Sequence, residues 1–478
     1  MDIRKLRPAL HFTVKNGYLN DPNGLIYDSL NDVYHLGYQF QTEVMPEKCY
    51  CHWGHAISKN LYDWQETLPI LSPDEYGIIA SGSAVIDAEN TSGLFDESTD
   101  PRQRFVALYT STNLESGRQA VCVAYSADGV NYIKYQDGKP VLHNNDPRYA
   151  SDFRDPKAFF LQEDKSWLMI IGGGILKLFK SKNLIDWEYQ SIVENVVSDE
   201  KSIDNDLSVL KKYLPNNDPF NKEMISECPD LFPLLSNSGE EKWILSGGGI
   251  FYTVGNLVKK DGKFYYEPIS KKKRFFSCVD FFAHHGEPYA TQSFYNDRFG
   301  RRIAVSWLMD STGNKSNNKP YNGVMSLPLE LSLLEKDDEY ALKAVPTQEF
   351  YDNFRFLMQT SDGETSLPEN TFYLKFSHCR EFLISNAQSE NAFSIEYNKG
   401  VLSVTTADGN FILCDNLGSD ISGLIVFDKY VLSMFINDTF LFNDFVFGGS
   451  FERLKIKASN QIKVHILRQK MQSEKSIC

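Results

Sequence analysis

The chain has 478 residues, enough for two or three hydrophobic cores, and its formal net charge of -14 argues against a polyanionic partner such as nucleic acid. No apolar stretch is long enough to cross a bilayer, and the opening "MDIRKLRPALHF" lacks the apolar centre of a signal peptide, so a cytoplasmic protein with no membrane partner is expected. The eight cysteines (Cys49, Cys51, Cys122, Cys228, Cys278, Cys379, Cys414 and Cys478) show neither a small-domain disulfide framework nor paired zinc spacing, which predicts free buried thiols and no metal site.

With 25 Tyr and 33 Phe the chain is rich in β-forming residues, and no long amphipathic helix stands out. The first strand signal is "YLNDPNGLIYD" (18–28), where Pro22 fixes one backbone angle and Gly24 frees another around Asp21. Taken alone, this stretch reads as a hairpin turn, since Asn, Asp, Pro and Gly dominate turns. Next comes "DVYHLGYQ" (32–39), then "SKNLYDWQ" (58–65), which reappears as "SKNLIDWEY" (181–189), with "SADGVNY" (126–132) in a similar place. Strands like the one at 32 recur as "RFVALYTST" (104–112), "SWLMIIGGG" (166–174), "KWILSGGG" (242–249) and "RRIAVSWLMD" (301–310), spaced 59 to 76 residues apart. Five such units predict a five-bladed β-propeller over residues 1–335, since radial repetition of small sheets protects strand edges. The basic run "KKKR" (271–274) reads as a solvated loop.

Beyond about residue 335 the repeats stop. The charged stretch 336–352 reads as a linker, and from 353 to 478 short alternating strands with turn signals such as Asp408-Gly409 and Asn437-Asp438 predict a β-sandwich. The expected fold class is all-β, a propeller followed by a sandwich.

Three acids precede equivalent strands: Asp21 lies 13 residues before Tyr34, Asp155 12 before Trp167, and Glu227 16 before Trp243. Each has a proline at once or one residue on, as Asp21-Pro22, Asp155-Pro156 and Glu227-Cys228-Pro229. In a propeller such positions fall on the innermost strands and converge at one mouth of the central channel. Like charges held together raise one another's proton affinity, which suits acid catalysis and fits glycoside hydrolysis by two carboxylates. Spacing does not assign the roles.

Six motifs in order, "YLNDPNGLIY", "HWGHAISKNLYDW", "ASGSAVID", "FRDPK", "SECPDLF" and "YATQSF", resemble glycoside hydrolase family 32, the β-fructofuranosidases, inulinases and levanases, over nearly the whole chain. The resemblance implies a five-bladed propeller with a C-terminal sandwich. It also implies Asp21 as nucleophile, Asp155 as transition-state stabiliser and Glu227 as general acid/base. Asn20, Gln39, Trp53, Ser81 and Arg154 would bind substrate, with Trp53 as an aromatic wall of the pocket or simply propeller core and Arg154 favouring an ionised Asp155, and no cofactor or metal is implied. The expected substrate is a small sugar, sucrose or a fructo-oligosaccharide, cut from the non-reducing end. Polymeric fructan, fructosyl transfer and a non-catalytic carbohydrate-binding propeller are the alternatives, and oligomeric state is open. Against the family pattern the region of Lys48 lacks a tryptophan, Ala80 replaces a phenylalanine, the stretch between Asp280 and Tyr289 is long, and "SWLMDST" lacks a second tryptophan. His284 and His285 read as an exposed loop.

Overall fold

The inner strand of the first blade, Gly17–Asp28, pairs with Val33–Gln41, which pairs in turn with His52–Ser58 and the short Gln65–Glu66. Three further sheets repeat this order, starting at Ile78–Ile86, Arg154–Leu161 and Asp230–Leu235, and the fifth runs Glu287–Ser293, Arg302–Met309, Leu329–Lys336, Glu339–Pro346. The five recurring strands of the sequence are thus the second strands of five blades. The structure is a computed structural model describing residues 7–44, 46, 50–143, 153–173, 175–193, 226–275, 286–309, 319–337, 339–368, 370–386, 393–406, 409–446 and 453–468.

The repeated "SKNL" element is an Asx turn. Asn60 Oδ1 accepts from the backbone N–H of Tyr62 (3.1 Å) and Asp63 (2.8 Å), Asn183 repeats this with Ile185 (3.1 Å) and Asp186 (2.8 Å), and Asp128 does so with Val130 (2.9 Å) and Asn131 (2.7 Å). The residue after each acceptor is left-handed, with φ of 66° at Leu61, 64° at Leu184 and 72° at Gly129.

Apolar side chains between adjacent sheets form the propeller core. Val106, Leu108 and Val123 of the second blade meet Ala158, Met169 and Phe179 of the third, and Ile170 and Leu178 meet Leu231, Trp243 and Leu245 of the fourth. Polar bonds lace the inner strands together around the ring. Gly82 N–H donates to Asn23 Oδ1 (3.0 Å), Ser83 Oγ to the Pro156 carbonyl (2.8 Å), Lys157 Nζ to Asp230 Oδ2 (3.2 Å), Gln292 Nε2 to the Cys228 carbonyl (2.9 Å), and Tyr295 N–H to the Leu25 carbonyl (2.9 Å). The ring is closed a second time where Tyr321–Asn322 pairs parallel with Gly17 and Tyr18. There Gly323 (φ 82°) passes so close to Leu19 that a Cβ would sit 1.9 Å from its carbonyl oxygen, so only glycine fits.

Two compact units result, and the expected boundaries shift. The first is Leu10–Pro346; the second runs from Thr347 and includes Ala9 and the few residues before it, Ala9 N–H donating to Asp428 Oδ1 (2.8 Å). The stretch 336–352 is not a linker. Glu339–Pro346 is the outer strand of the fifth blade, with Leu342 and Ala344 buried between outward-facing neighbours, and Gln348–Asp352 forms one helical turn. The charges concealed a period-two alternation. Nor is 271–274 a solvated loop, because Lys272 is 3 % exposed and lies over the Phe251 ring, and Lys273–Arg274 pairs with Phe251 and Tyr252.

The second unit is sandwich-like and built as one curled sheet of ten strands. Its last strand, Arg453–Leu467, pairs with Phe354–Ser366, Thr371–Cys379 and Glu381–Asn386, which joins the two faces. Among the described residues five cysteines are free, and four of them, Cys51, Cys122, Cys228 and Cys379, are buried. Cys49, Cys278, Cys478, Lys48, Asp280, His284 and His285 lie outside the described residues.

Candidate active site

Four of the five inner strands slip register at the same level, between Leu19 and Pro22, Ala80 and Gly82, Arg154 and Lys157, and Tyr289 and Gln292. In the fourth blade Gly248 N–H donates to the Glu227 carbonyl (2.6 Å) and the regular ladder begins at Asp230. Bulges re-aim side chains, and this level carries unusual strain. Asp155, Cys228 and Ala290 are non-glycine residues with φ of 61°, 43° and 50°. The sequence had marked the level with prolines, since Pro22, Pro156 and Pro229 bring no N–H to a ladder interrupted there.

Two circles of side chains follow from this alignment. Asp21, Ser81, Asp155, Cys228 and Ala290 occupy the distorted position, and Asn20, Ala80, Arg154, Glu227 and Tyr289 the residue before it. Ser81 Oγ donates to Asp21 Oδ2 (2.6 Å), Asn20 Nδ2 to Asp21 Oδ1 (3.1 Å), and the Cys228 thiol to Asp21 Oδ2 (3.5 Å). Gln39 supports this arrangement, donating from Nε2 to Ser81 Oγ (2.6 Å) and accepting from Asn20 Nδ2 (3.4 Å). Asn23 Nδ2 holds the Asp21 carbonyl (2.9 Å), while left-handed Gly24 (φ 54°) packs where a Cβ would approach the Trp53 ring to 3.0 Å. The "NDPNG" run is therefore an inner-strand distortion rather than a free turn.

Asp155 is 6 % exposed. Its Oδ2 accepts from the Cys228 N–H (2.9 Å), and its own N–H donates to Thr110 Oγ1 (2.8 Å). Arg154 sits between two acids, with Nη2 3.0 Å from Glu227 Oε1 and Nε 3.9 Å from Asp155 Oδ2. The Tyr289 hydroxyl donates to Glu227 Oε2. Burial pushes Asp155 up to about 7, with the Glu227 and Asp21 charges adding to it and Arg154 only partly offsetting. Arg154 favours an ionised Asp155, as expected, but its guanidinium engages Glu227 more closely and desolvation outweighs its pull. Burial also raises Asp21, opposed by the Ser81 hydrogen bond, and pushes the Cys228 thiol well up.

Seven of the eight residues singled out in the sequence meet at this level; Trp53 does not. Trp53 is fully buried, donates from Nε1 to the Ala80 carbonyl (2.9 Å), and packs with Leu71, Ile79 and Tyr109, so it offers no face to a ligand. The correction has a simple cause: tryptophan in a propeller strand serves the core as readily as a pocket. Sequence reasoning missed Cys228, Tyr289 and the buried Lys157–Asp230 pair, although all four lie within the quoted motifs. Their signal was position, each aligning with an acid, an arginine or one another across blades. A separate cleft of about 820 Å³, lined in part by Phe159, Phe160, Trp243, Leu257 and Phe264, contains none of the three acids.

A model of the glycosyl hydrolases family 32 N-terminal domain matches residues 11–346. The chain is 32% identical over 368 residues to a fructan beta-fructosidase of Streptococcus mutans, a match covering 73% of this chain and 22% of that protein. It is 31% identical over 349 residues to invertase 1 of Saccharomyces cerevisiae, covering 68% of this chain and 58% of that one. The chain thus spans only part of the length of the curated relatives it matches. In fold it resembles a fructofuranosidase from Schwanniomyces occidentalis solved in complex with fructose, with a TM-score of 0.78 at 20% identity, covering 98% of this chain and 100% of the other.

Proposed function

Because the chain belongs to glycosyl hydrolase family 32, we propose that it is a retaining glycosidase releasing terminal non-reducing β-D-fructofuranosyl units from sucrose and fructo-oligosaccharides. One observation carries the reading: a single network joins all three acids, from Ser81 through Asp21 and Cys228 to Asp155, and through Arg154 to Glu227. Asp21 attacks the anomeric carbon while Glu227 protonates the departing oxygen. Water then resolves the covalent intermediate with Glu227 as base, so two inversions give net retention. Asp155 hydrogen-bonds ring hydroxyls most strongly as the oxocarbenium-like state develops.

Gln39 and Ser81 act in this reading by holding Asp21 rather than by grasping sugar. Asn20 Oδ1, buried with no hydrogen-bond partner among the described residues, is the acceptor left over for a hydroxyl of the substrate. The names of the relatives, fructan beta-fructosidase and invertase, support a fructosyl substrate. Sucrose, 1-kestose, inulin and levan, assayed side by side, test the proposal. Free fructose as the sole early product from inulin is expected, whereas an early ladder of oligosaccharides would mean internal cleavage. A folded Asp21→Asn protein should lose several orders of magnitude in turnover, and wild-type-like activity would remove Asp21 from the mechanism.

A further inference from the structure

The alignment of the inner strands gives Tyr289 a place that its residue type does not advertise. It is the fifth-blade counterpart of Asn20, Arg154 and Glu227, and like them it immediately precedes a distorted residue. The side chain is 6 % exposed, and its ring meets Trp307 edge-on at 6.3 Å. The next residue is anchored too, Ala290 N–H donating to the Gly248 carbonyl (2.7 Å), one residue beyond Glu241–Gly247, the second strand of the fourth blade. A phenol held this way has little freedom to swing. Burial also raises its proton affinity, so the hydroxyl remains a donor throughout the working pH range.

The two oxygens of Glu227 consequently face two fixed donors, Arg154 Nη2 on Oε1 and the Tyr289 hydroxyl on Oε2. We propose that Tyr289 is a positioning residue for Glu227: its hydroxyl sets the orientation of the carboxyl group and stabilises the carboxylate formed when the proton is handed on. This rests on Glu227 being the general acid. In that step the proton passes from Glu227 to the leaving oxygen as the anomeric C–O bond breaks and its electron pair goes to that oxygen. Tyr289 keeps its own proton, and its hydrogen bond strengthens as negative charge grows on Glu227. Such a bond, stronger in the transition state than in the ground state, acts on kcat rather than on KM.

The test is Tyr289→Phe, which removes one oxygen and keeps the ring against Trp307, assayed on sucrose and on β-fructosyl fluoride. Fluoride departs without a proton, so its kcat/KM does not need the acid. Expected is a fall of about 10- to 100-fold in kcat on sucrose with KM within about threefold, typical of losing one oriented donor. The kcat/KM on the fluoride should change by less than about threefold, and the alkaline limb of the sucrose profile should move to higher pH. The ratio of the two kcat/KM values is measured in one preparation, so a partly unfolded variant scales both and leaves it unchanged. Equal losses on both substrates, or none on sucrose, would overturn the proposal. Glu227→Gln run in parallel separates the two readings. If that variant hydrolyses sucrose normally, the general-acid reading falls; if it fails on sucrose while sparing the fluoride and Tyr289→Phe resembles wild type, only the role of Tyr289 falls.

Discussion

Replacing Asp155 with asparagine should abolish turnover and yet make the propeller more stable at alkaline pH. The carboxyl group is 6 % exposed and holds its proton up to about 7, against an ordinary value of 3.8, chiefly because burial disfavours the charge. An acid whose proton affinity is raised by folding ionises more readily in the unfolded chain. Its ionisation therefore leaves the fold untouched below about 4 and destabilises it progressively as pH rises to about 7. A span of about three pH units at about 1.4 kcal/mol each sets a ceiling near 4 kcal/mol at pH 8. Asparagine keeps an oxygen for the Cys228 N–H and removes the charge. All six tryptophans lie between residues 53 and 307, so their fluorescence in urea reports the Leu10–Pro346 unit alone. The advantage of Asp155→Asn over wild type should be greater at pH 8 than at pH 5 by about 2–3 kcal/mol. Comparing the two pH values cancels whatever the amide does to packing. An advantage equal at both, or greater at pH 5, would refute the assignment of a buried, reluctantly ionised carboxyl at this position.

Three other outcomes are expected. Trp53→Ala should destabilise the first unit by about 3–5 kcal/mol in urea, and Trp53→Phe should leave the relative rates on sucrose and inulin unchanged, since the indole packs in the core. Lys157→Met should cost about 3–5 kcal/mol by stranding the Asp230 carboxylate, which is 2 % exposed, and the loss should shrink when Asp230→Asn is added in a double-mutant cycle. Burial holds His35 down to about 4 and His55 to about 3, their rings stacked with Nδ1 of one 3.0 Å from Nε2 of the other. Two imidazoles kept neutral by folding contribute stability that is present above about 6.5 and lost as pH falls toward 4, so His55→Gln should flatten the acid side of the stability profile measured by thermal unfolding.

Much of this protein was legible in one dimension because its blades are local. The main strands of each blade follow one another in chain order, so period-two alternation and the repeated Asx-turn sequences at Ser58, Ser126 and Ser181 appear in the chain at fixed order. The acids with their prolines were legible for a related reason, since proline brings no N–H and is tolerated where the ladder is broken. What the sequence concealed depends on contacts between blades. Arg154 and Glu227 are 73 residues apart, as are Lys157 and Asp230, and Tyr289 reaches Glu227 across 62. No local pattern says which of two acids an arginine will face, and that choice, with the desolvation around it, decides where the protons sit. The side of the sheet to which Trp53 turns was likewise settled only when the second blade closed over it. The outer strand of the fifth blade shows the converse, a charged segment that only its pairing with Leu329–Lys336 reveals as part of the propeller. Order along the chain thus fixed the architecture and the level of the site, and closure of the ring determined which groups share it and in what state of protonation.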